Sequence, residues 1–307
     1  MKFEEVYIEY LKYIEYRQKN QSQRTLKERF EKKILPFFKD YNIYDIKESD
    51  YLKWQNDIEF YNYSNNYKSN LHYLMTKYFD FLIKYYDVQK NVPRNVGNFK
   101  LKNEAKKYKI YSYKEFRRFI KYVDNNIYKQ FFNFMFFTGT RPGETFALQF
   151  KDIQNDYISI NKTLTSHNGR EFDLPKSYNS VRMIKLDKKL KNDILDLKKQ
   201  YVDCNDDYFI FGGPKPLAPT TINRYKVKAC QKANLRPITL HQFRHSHATL
   251  LVNNNVLINE VSRRLGHSNV AITLNTYVHT DLSQEKKVYK TLNSLRYNFF
   301  RFITKHF

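Results

Sequence analysis

The sequence predicts a mainly α-helical protein with one small antiparallel β-sheet, divided into an all-helical N-terminal domain and a larger α+β domain. Three observations predict it. The first is length: 307 residues hold about two domains at roughly 100–200 residues each, and each can bury its own core. The second is composition, with 41% hydrophobic residues but only 7 Gly and 8 Pro, which excludes collagen-like and low-complexity chains. The third is periodicity, which is helical over most of the chain and turns to strand-like alternation between residues 157 and 186.

Residues 1–90 read as four amphipathic helices, over 3–18, 22–39, 47–59 and 67–86. In the first, Val6, Tyr7, Tyr10, Leu11 and Ile14 recur at spacings of three and four, the pattern of one buried stripe. The chain has 27 Tyr, and a Tyr beside a Lys suits a nucleic-acid face as well as a core.

Residues 91–110 change character. Arg94, Lys100, Lys102, Lys106, Lys107 and Lys109 face a single acid, Glu104, while Pro93 and Gly97 break any helix, so the stretch reads as a basic linker. It is either a solvated connector or a strap around a DNA duplex. The strap is the preferred reading, with Lys100, Lys102, Lys106 and Lys107 as its DNA-binding cations.

The second domain, 111–307, opens with Ser112 and Glu115 spaced as a capping box. An apolar helix through 131–137 runs into Thr138-Gly139-Thr140-Arg141-Pro142-Gly143-Glu144, and helix restarts behind the proline. Alternation over 157–162 and 181–186, with a turn at His167-Asn168-Gly169, predicts the small sheet. Beyond residue 187 the pattern is helical again, interrupted at Gly212-Gly213-Pro214.

Charge narrows the partner. Fifty-four Lys and Arg against 31 Asp and Glu leave a net +23, a field that attracts phosphate polyanions. Coding bias accounts for Lys over Arg, 38 to 16, but not for the distribution: residues 1–100 carry +4 and residues 101–307 carry +19. Nucleic acid is therefore the first partner to consider. The two cysteines, Cys204 and Cys230, are too few for a disulfide framework. No stretch is apolar enough for a membrane span and the N-terminus lacks a signal-peptide core, so a cytoplasmic, nucleoid-associated protein without a membrane partner is expected.

The residues that carry chemistry are ordinary when taken singly. Arg141 would pass as a surface residue, Lys176 as a turn lysine, and a lone His as structural. Together they form a series. His241-Gln242-Phe243-Arg244 sets an imidazole and a guanidinium three residues apart on one helical face. Leu265-Gly266-His267-Ser268 breaks a helix at Gly and starts another at Ser, which aims His267 at the turn, and Tyr277 follows ten residues later.

This ordered series resembles a tyrosine recombinase of the phage integrase type. The string around Arg141, with Ala147-Leu148 and Asp152-Ile153, resembles the family's first arginine motif; 241–249 resembles its His-x-x-Arg box; Leu265-Gly266-His267 to Tyr277 resembles the segment ending in the nucleophile. The resemblance covers about residues 110–280 and implies a helical core-binding domain over 1–90 ahead of an α+β tyrosine-recombinase catalytic domain. Gln242 stands where the family often has Asp, and Pro142 where an aliphatic residue is common; neither removes a catalytic group.

The catalytic set is then Tyr277, Arg141, Lys176, His241, Arg244 and His267, with Glu144 orienting a catalytic side chain from behind. The physics agrees. Transesterification at phosphorus develops charge on nonbridging oxygens, which Arg141 and Arg244 can grip in bidentate fashion. His241 and His267 can donate to the same phosphate, and His241 can also take the proton of the attacking phenol. Attack by Tyr277 would form a 3′-phosphotyrosyl link that conserves the bond energy, so no ATP or metal cofactor is required. The family gives protonation of the leaving 5′-oxygen to a hairpin lysine, which matches Lys176, although Lys162 and Lys185 also flank the hairpin.

The implied function is site-specific recombination that integrates and excises a mobile element of a bacterium or phage; a chromosome or plasmid dimer resolvase is the alternative with the same chemistry. The implied partners are paired DNA sites bound by a homotetramer, with an accessory directionality factor. Apolar residues from Leu292 and Leu295 to Phe299, Phe300, Phe302 and Ile303 predict a C-terminal helix that docks on the domain or on the next protomer. Three rivals remain: a zinc enzyme using His241, His245 and His247, a DNA-binding relative that has lost cleavage, and a relaxing topoisomerase. No Asp or Glu occurs from 240 to 259, which leaves the zinc reading short of a carboxylate.

Overall fold

The computed structural model describes residues 1–17, 20–100, 109–164, 172–173 and 180–277. The chain divides into two compact units, Met1–Lys106 and Lys107–Phe307. Among the described residues no helix is long and apolar enough to cross a membrane.

Among its described residues the regular elements of the N-terminal unit are helices: α1 (Phe3–Glu15), α2 (Asn20–Arg29), α3 (Leu35–Phe38), α4 (Glu48–Phe60), α5 (Asn65–Tyr86) and α6 (Val92–Val96). The predicted stripe of α1 is the buried one: Phe3, Val6, Tyr7, Tyr10 and Ile14 all face the core. Between α2 and α3 the helix opens into a π turn, Phe30–Ile34, with Leu35 N–H donating to the Phe30 carbonyl. Pro36, just beyond it, has no N–H to continue the ordinary ladder, which is where such a bulge relieves the helix. Tyr51, Trp54, Tyr78 and Phe79 are almost wholly enclosed. Each contributes roughly 1.5–3 kcal/mol on burial.

This unit does not end at residue 90. Asn91 caps α6 by accepting from Arg94 N–H at 3.0 Å. Pro93 sits in the first turn of that helix, where its missing N–H costs nothing, so it starts a helix rather than breaking one. Val92 and Phe99 are buried, Phe99 packs on Trp54, and Gln55 donates to the Gly97 carbonyl. Arg94 of this stretch is paired with Asp80, and Lys90, just ahead of it, with Glu48. Lys100 is exposed. Lys102, Lys106 and Lys107 lie outside the described residues.

The second unit opens with α7 (Tyr113–Lys121), and Ser112 and Glu115 form the expected reciprocal capping box. It continues through α8 (Asn126–Thr138) and α9 (Pro142–Ala147) to five short strands, β1 (Ile153–Gln154), β2 (Tyr157–Ile160), β3 (Thr163–Leu164), β4 (Phe172–Asp173) and β5 (Arg182–Lys185). The sheet order is β1-β2-β5, antiparallel, with Tyr157 opposite Lys185 and Ile160 opposite Arg182; β3 and β4 form a separate antiparallel pair. Among the described residues, the elements after β5 are helices: α10 (Lys188–Lys198), α11 (Pro219–Lys232), α12 (Leu240–Asn253), α13 (Ile258–Leu265) and α14 (Val270–Tyr277). The core lies around α8, where Phe131, Phe132, Phe134, Met135 and Phe136 are all fully enclosed. The predicted C-terminal helix beyond Tyr277 lies outside the described residues.

Candidate active site

The site begins at the turn between α8 and α9. Gly139 ends α8 in the left-handed region at φ 69°, and a Cβ there would lie 2.5 Å from the His247 ring. Only glycine fits both constraints. Its carbonyl accepts from Arg244 Nη1 at 2.8 Å, so the turn that precedes Arg141 also seats the second arginine. Arg141 is the extended N-cap residue of α9, with Pro142 at the first helical position as the sequence predicts.

Arg141 is fixed at both ends. Its backbone N–H donates to Glu144 Oε2 at 2.7 Å, its Nη1 to Glu144 Oε1 at 2.8 Å, and its Nη2 to the Gly266 carbonyl at 3.1 Å. Gly266 is the left-handed residue that ends α13, so Arg141 links that turn to α9. About a third of the Arg141 side chain stays exposed, which leaves donors reachable by a ligand. Glu144 is 3% exposed, and its second partner is Arg182 at the start of β5, bonded through Nη1–Oε1 and Nη2–Oε2 at 3.1 and 2.8 Å. Burial would raise the Glu144 pKa, but Arg182 and then Arg141 hold it below the ordinary carboxylate value. Two guanidinium groups, Arg141 and Arg182, thus hold one carboxylate, and Arg244 on the Gly139 carbonyl adds a further positive charge to the site.

The imidazoles complete the set. His241 lies in the first turn of α12, and Arg244 lies three residues on, buried. Partial desolvation, then the charges of Arg244 and Arg141, depress the His241 pKa. His267 follows the Gly266 turn, and its Nδ1 is 2.7 Å from the buried Thr273 hydroxyl of α14. Desolvation, then Arg244 and Arg141, push its pKa down to about 4. Both rings are neutral at pH 7 in the absence of an anion, able to donate one N–H each. An Nδ1 of His267 that accepts from Thr273 leaves the ring proton on Nε2.

The structure therefore brings Arg141, Glu144, His241, Arg244 and His267 together. Tyr277 is the last residue of α14, its backbone one turn beyond Thr273. Asn269, rather than Ser268, bonds the first turn of that helix, its side chain accepting from Ala271 N–H. Lys176 lies outside the described residues. Of the other hairpin lysines, Lys162 is held by Asp152 and Gln149 at 2.8 Å each and is largely buried. Lys185 sits over the Tyr157 ring, at the opposite end of β5 from Arg182.

His247 is not available as a third zinc ligand. Its Nδ1 donates to the Phe136 carbonyl at 2.8 Å, and its Nε2 accepts from Arg264 Nε at 3.2 Å, so both ring nitrogens are occupied. Burial, then the Arg264 charge, push its pKa down to about 3. Gln242, the departure from the family pattern, acts on its own helix end, where its side chain accepts from Thr239 N–H at 2.6 Å and closes a capping box at the start of α12. Sequence reasoning misses Arg182, Arg264 and Thr273. Only the capping-box spacing of Thr239 and Gln242 is visible as a pattern; the importance of Arg182 depends on a carboxylate 38 residues away.

Comparison with known proteins adds to this geometry. The phage integrase family matches residues 111–284, and the phage integrase N-terminal SAM-like domain matches residues 2–58. The ICEBs1 integrase of Bacillus subtilis (strain 168) is 31% identical over 250 residues, covering 76% of this chain and 66% of that protein. The integrase of Staphylococcus phage L54a is 29% identical over 178 residues, covering 52% of this chain and 50% of that one. The chain thus spans about half to two thirds of the length of these curated relatives. Among solved structures, the Tn1549 transposon integrase in complex with a circular intermediate DNA has a TM-score of 0.76 at 20% identity, covering 92% of this chain and 98% of that one. That likeness establishes a shared fold.

Proposed function

The chain belongs to the phage integrase family, of tyrosine recombinases, and from that premise we propose that it is a site-specific DNA recombinase that integrates and excises a mobile element. The observation that carries this reading is the convergence of Arg141, Arg244, His241 and His267 on one cation-rich site, next to the helix that ends in Tyr277. Such a site fits a phosphodiester. Arg141 and Arg244 would neutralise the charge developed on its nonbridging oxygens, and the neutral imidazoles would donate to them. The phosphate's own charge would raise both imidazole pKa values, which brings His241 nearer the range of a general base for the Tyr277 phenol.

Tyr277 attacks the phosphorus, the phosphorus–5′-oxygen bond breaks, and a 3′-phosphotyrosyl link holds the strand end. Lys176 delivers the proton to the leaving 5′-oxygen. A 5′-hydroxyl from another strand then reverses the step, so the cycle is energetically neutral and uses neither ATP nor a metal. The partner is duplex DNA, with Lys100, Lys102, Lys106 and Lys107 contacting backbone phosphates. The named relatives are integrases of an integrative element and of a phage, which supports a mobile-element role over dimer resolution. Recombination of two duplexes calls for four protomers, linked by the apolar C-terminal residues in a closed ring, with an accessory factor setting direction. A cytoplasmic, nucleoid-associated location follows from that substrate.

Covalent capture tests the reading. Nicked duplexes of random sequence, incubated with the protein and resolved under denaturing conditions, should yield a protein–DNA adduct joined to a 3′-phosphate. An intact protein that binds DNA yet never forms an adduct would make it a binding relative without cleavage.

A further inference from the structure

One buried cation near the site has no place in the chemistry just described. Arg182 is 7% exposed at its side chain and spends its donors in three directions. Nη1 and Nη2 fork the Glu144 carboxylate, Nε donates to the Arg264 carbonyl at 2.7 Å, and Nη1 also donates to the Ser180 carbonyl at 2.9 Å. Each Glu144 oxygen therefore serves both arginines: Oε1 accepts from Arg141 Nη1 and Arg182 Nη1, Oε2 from the Arg141 backbone and Arg182 Nη2. The Arg264 carbonyl lies two residues before Gly266, whose own carbonyl holds Arg141 Nη2. Four anchors of one guanidinium thus frame the groups that aim Arg141 and the turn carrying His267.

We propose that Arg182 is a positioning residue for phosphoryl transfer: through Glu144 and the Arg264 carbonyl it sets the orientation of the Arg141 guanidinium and of the Gly266–His267 turn. Burying an ion pair of this kind is a poor way to gain stability alone, since well-packed apolar groups of the same size usually do as well. A planar fork with donors in three directions does what stability does not require. It ties β5, the strand that follows the segment bearing Lys176, to the same carboxylate that holds Arg141. Lysine, a single point donor, cannot reproduce it.

The inference rests on the recombinase reading, and the experiment separates the two. Wild-type protein first selects cleavable duplexes from the nicked random-sequence library by covalent capture; no adduct from the wild type would overturn the recombinase reading and this inference with it. On the captured duplex, single-turnover cleavage is compared for wild type, Arg182→Lys, Arg182→Met, Glu144→Gln and the Arg182→Met/Glu144→Gln double variant, alongside duplex affinity. A misplacement of about 1 Å at a reacting group costs about 100-fold in rate, so Arg182→Met should lose about that much with affinity within about threefold of wild type. The double variant should cleave no more slowly than the slower single one, because Arg182 acts through Glu144.

Acid sensitivity is the readout that general loosening would not move. Glu144 is faced by Arg141 from the turn before α9, Arg182 from β5 and His241 from α12. Without Arg182 its buried carboxyl should protonate more readily, so Arg182→Met should slow further from pH 8 to 6, and Glu144→Gln should abolish that extra limb. If Arg182→Met does not fold, Arg182→Lys decides: it keeps the charge, should melt like wild type, and should still cleave about 10-fold slower, as lost bidentate geometry predicts. Wild-type rates in Arg182→Lys, losses that multiply in the double variant, or a fall in affinity equal to the fall in rate would each overturn the proposal.

Discussion

Gly139 and His247 stand so close that a Cβ on the glycine would lie 2.5 Å from His247 Cδ2 and 2.8 Å from Leu265 Cδ2. The same glycine, at φ 69°, presents its carbonyl to Arg244. Backbone conformation, packing and the seat of a site arginine thus depend on one missing methyl group. Gly139→Ala should cost at least ~2 kcal/mol in chemical denaturation, from left-handed strain plus overpacking. Where the variant remains folded it should cleave DNA more slowly, because the Arg244 acceptor has moved. Wild-type stability and cleavage in this variant would show that the turn tolerates a side chain.

His247 makes a separate prediction about acid. Its folded pKa is about 3, below the ordinary imidazole value of 6.5, so from pH 6.5 downward the unfolded chain binds a proton that the folded chain refuses. Stability from this group is complete above pH 6.5 and declines as pH falls towards 3. At pH 5 the loss is about 2 kcal/mol, at ~1.4 kcal/mol per pH unit. His247→Gln, which keeps a donor and an acceptor, should show a correspondingly smaller loss between pH 7 and pH 5 in parallel denaturation curves. Equal losses in the two proteins would mean that His247 titrates normally.

Arg141 is bound twice by the protein yet remains about a third exposed, the condition for gripping a ligand without wandering. Arg141→Lys should leave the melting temperature and duplex affinity near wild type and slow cleavage by roughly 10²–10³-fold, the usual cost of one lost oxyanion donor. Single-turnover kinetics beside a binding titration checks it. A parallel loss of affinity would assign Arg141 to ground-state binding.

Lys176 can be tested by substrate chemistry. A 5′-bridging phosphorothiolate expels a thiolate that needs no proton, so it should restore cleavage to Lys176→Ala and not to Arg141→Ala. Lys162 is committed to Asp152, and its Ala variant should lose stability rather than gain rescue. Rescue of Lys185→Ala, with none for Lys176→Ala, would move the general acid along the hairpin.

How much is legible in the sequence follows from what each feature depends on. Helices over 48–60 and 65–86 are readable because their apolar stripes repeat within a few residues, and the strands at 157 and 182 because alternation is local. Arg141, His241, Arg244 and His267 are readable as an ordered series. The start of the linker is misplaced when Pro93 counts as a breaker, whereas Asn91 two residues earlier caps a helix that tolerates it. Arg182 is illegible as a site residue: its meaning comes from Glu144 and the Arg264 carbonyl, both distant in sequence. The His247–Arg264 bond is of the same kind, and together with the Phe136 carbonyl it occupies both ring nitrogens of His247.

The central claim is that the phenol of Tyr277 becomes covalently joined to DNA. Its most direct test is peptide mass spectrometry of the adduct captured on a nicked duplex, after nuclease digestion, in wild type and Tyr277→Phe. The expected result is a nucleotide-bearing phosphotyrosine at Tyr277 in the wild type, and in Tyr277→Phe unchanged duplex affinity with no adduct. An adduct that persists in Tyr277→Phe, or that maps to another residue of the wild type, would contradict it.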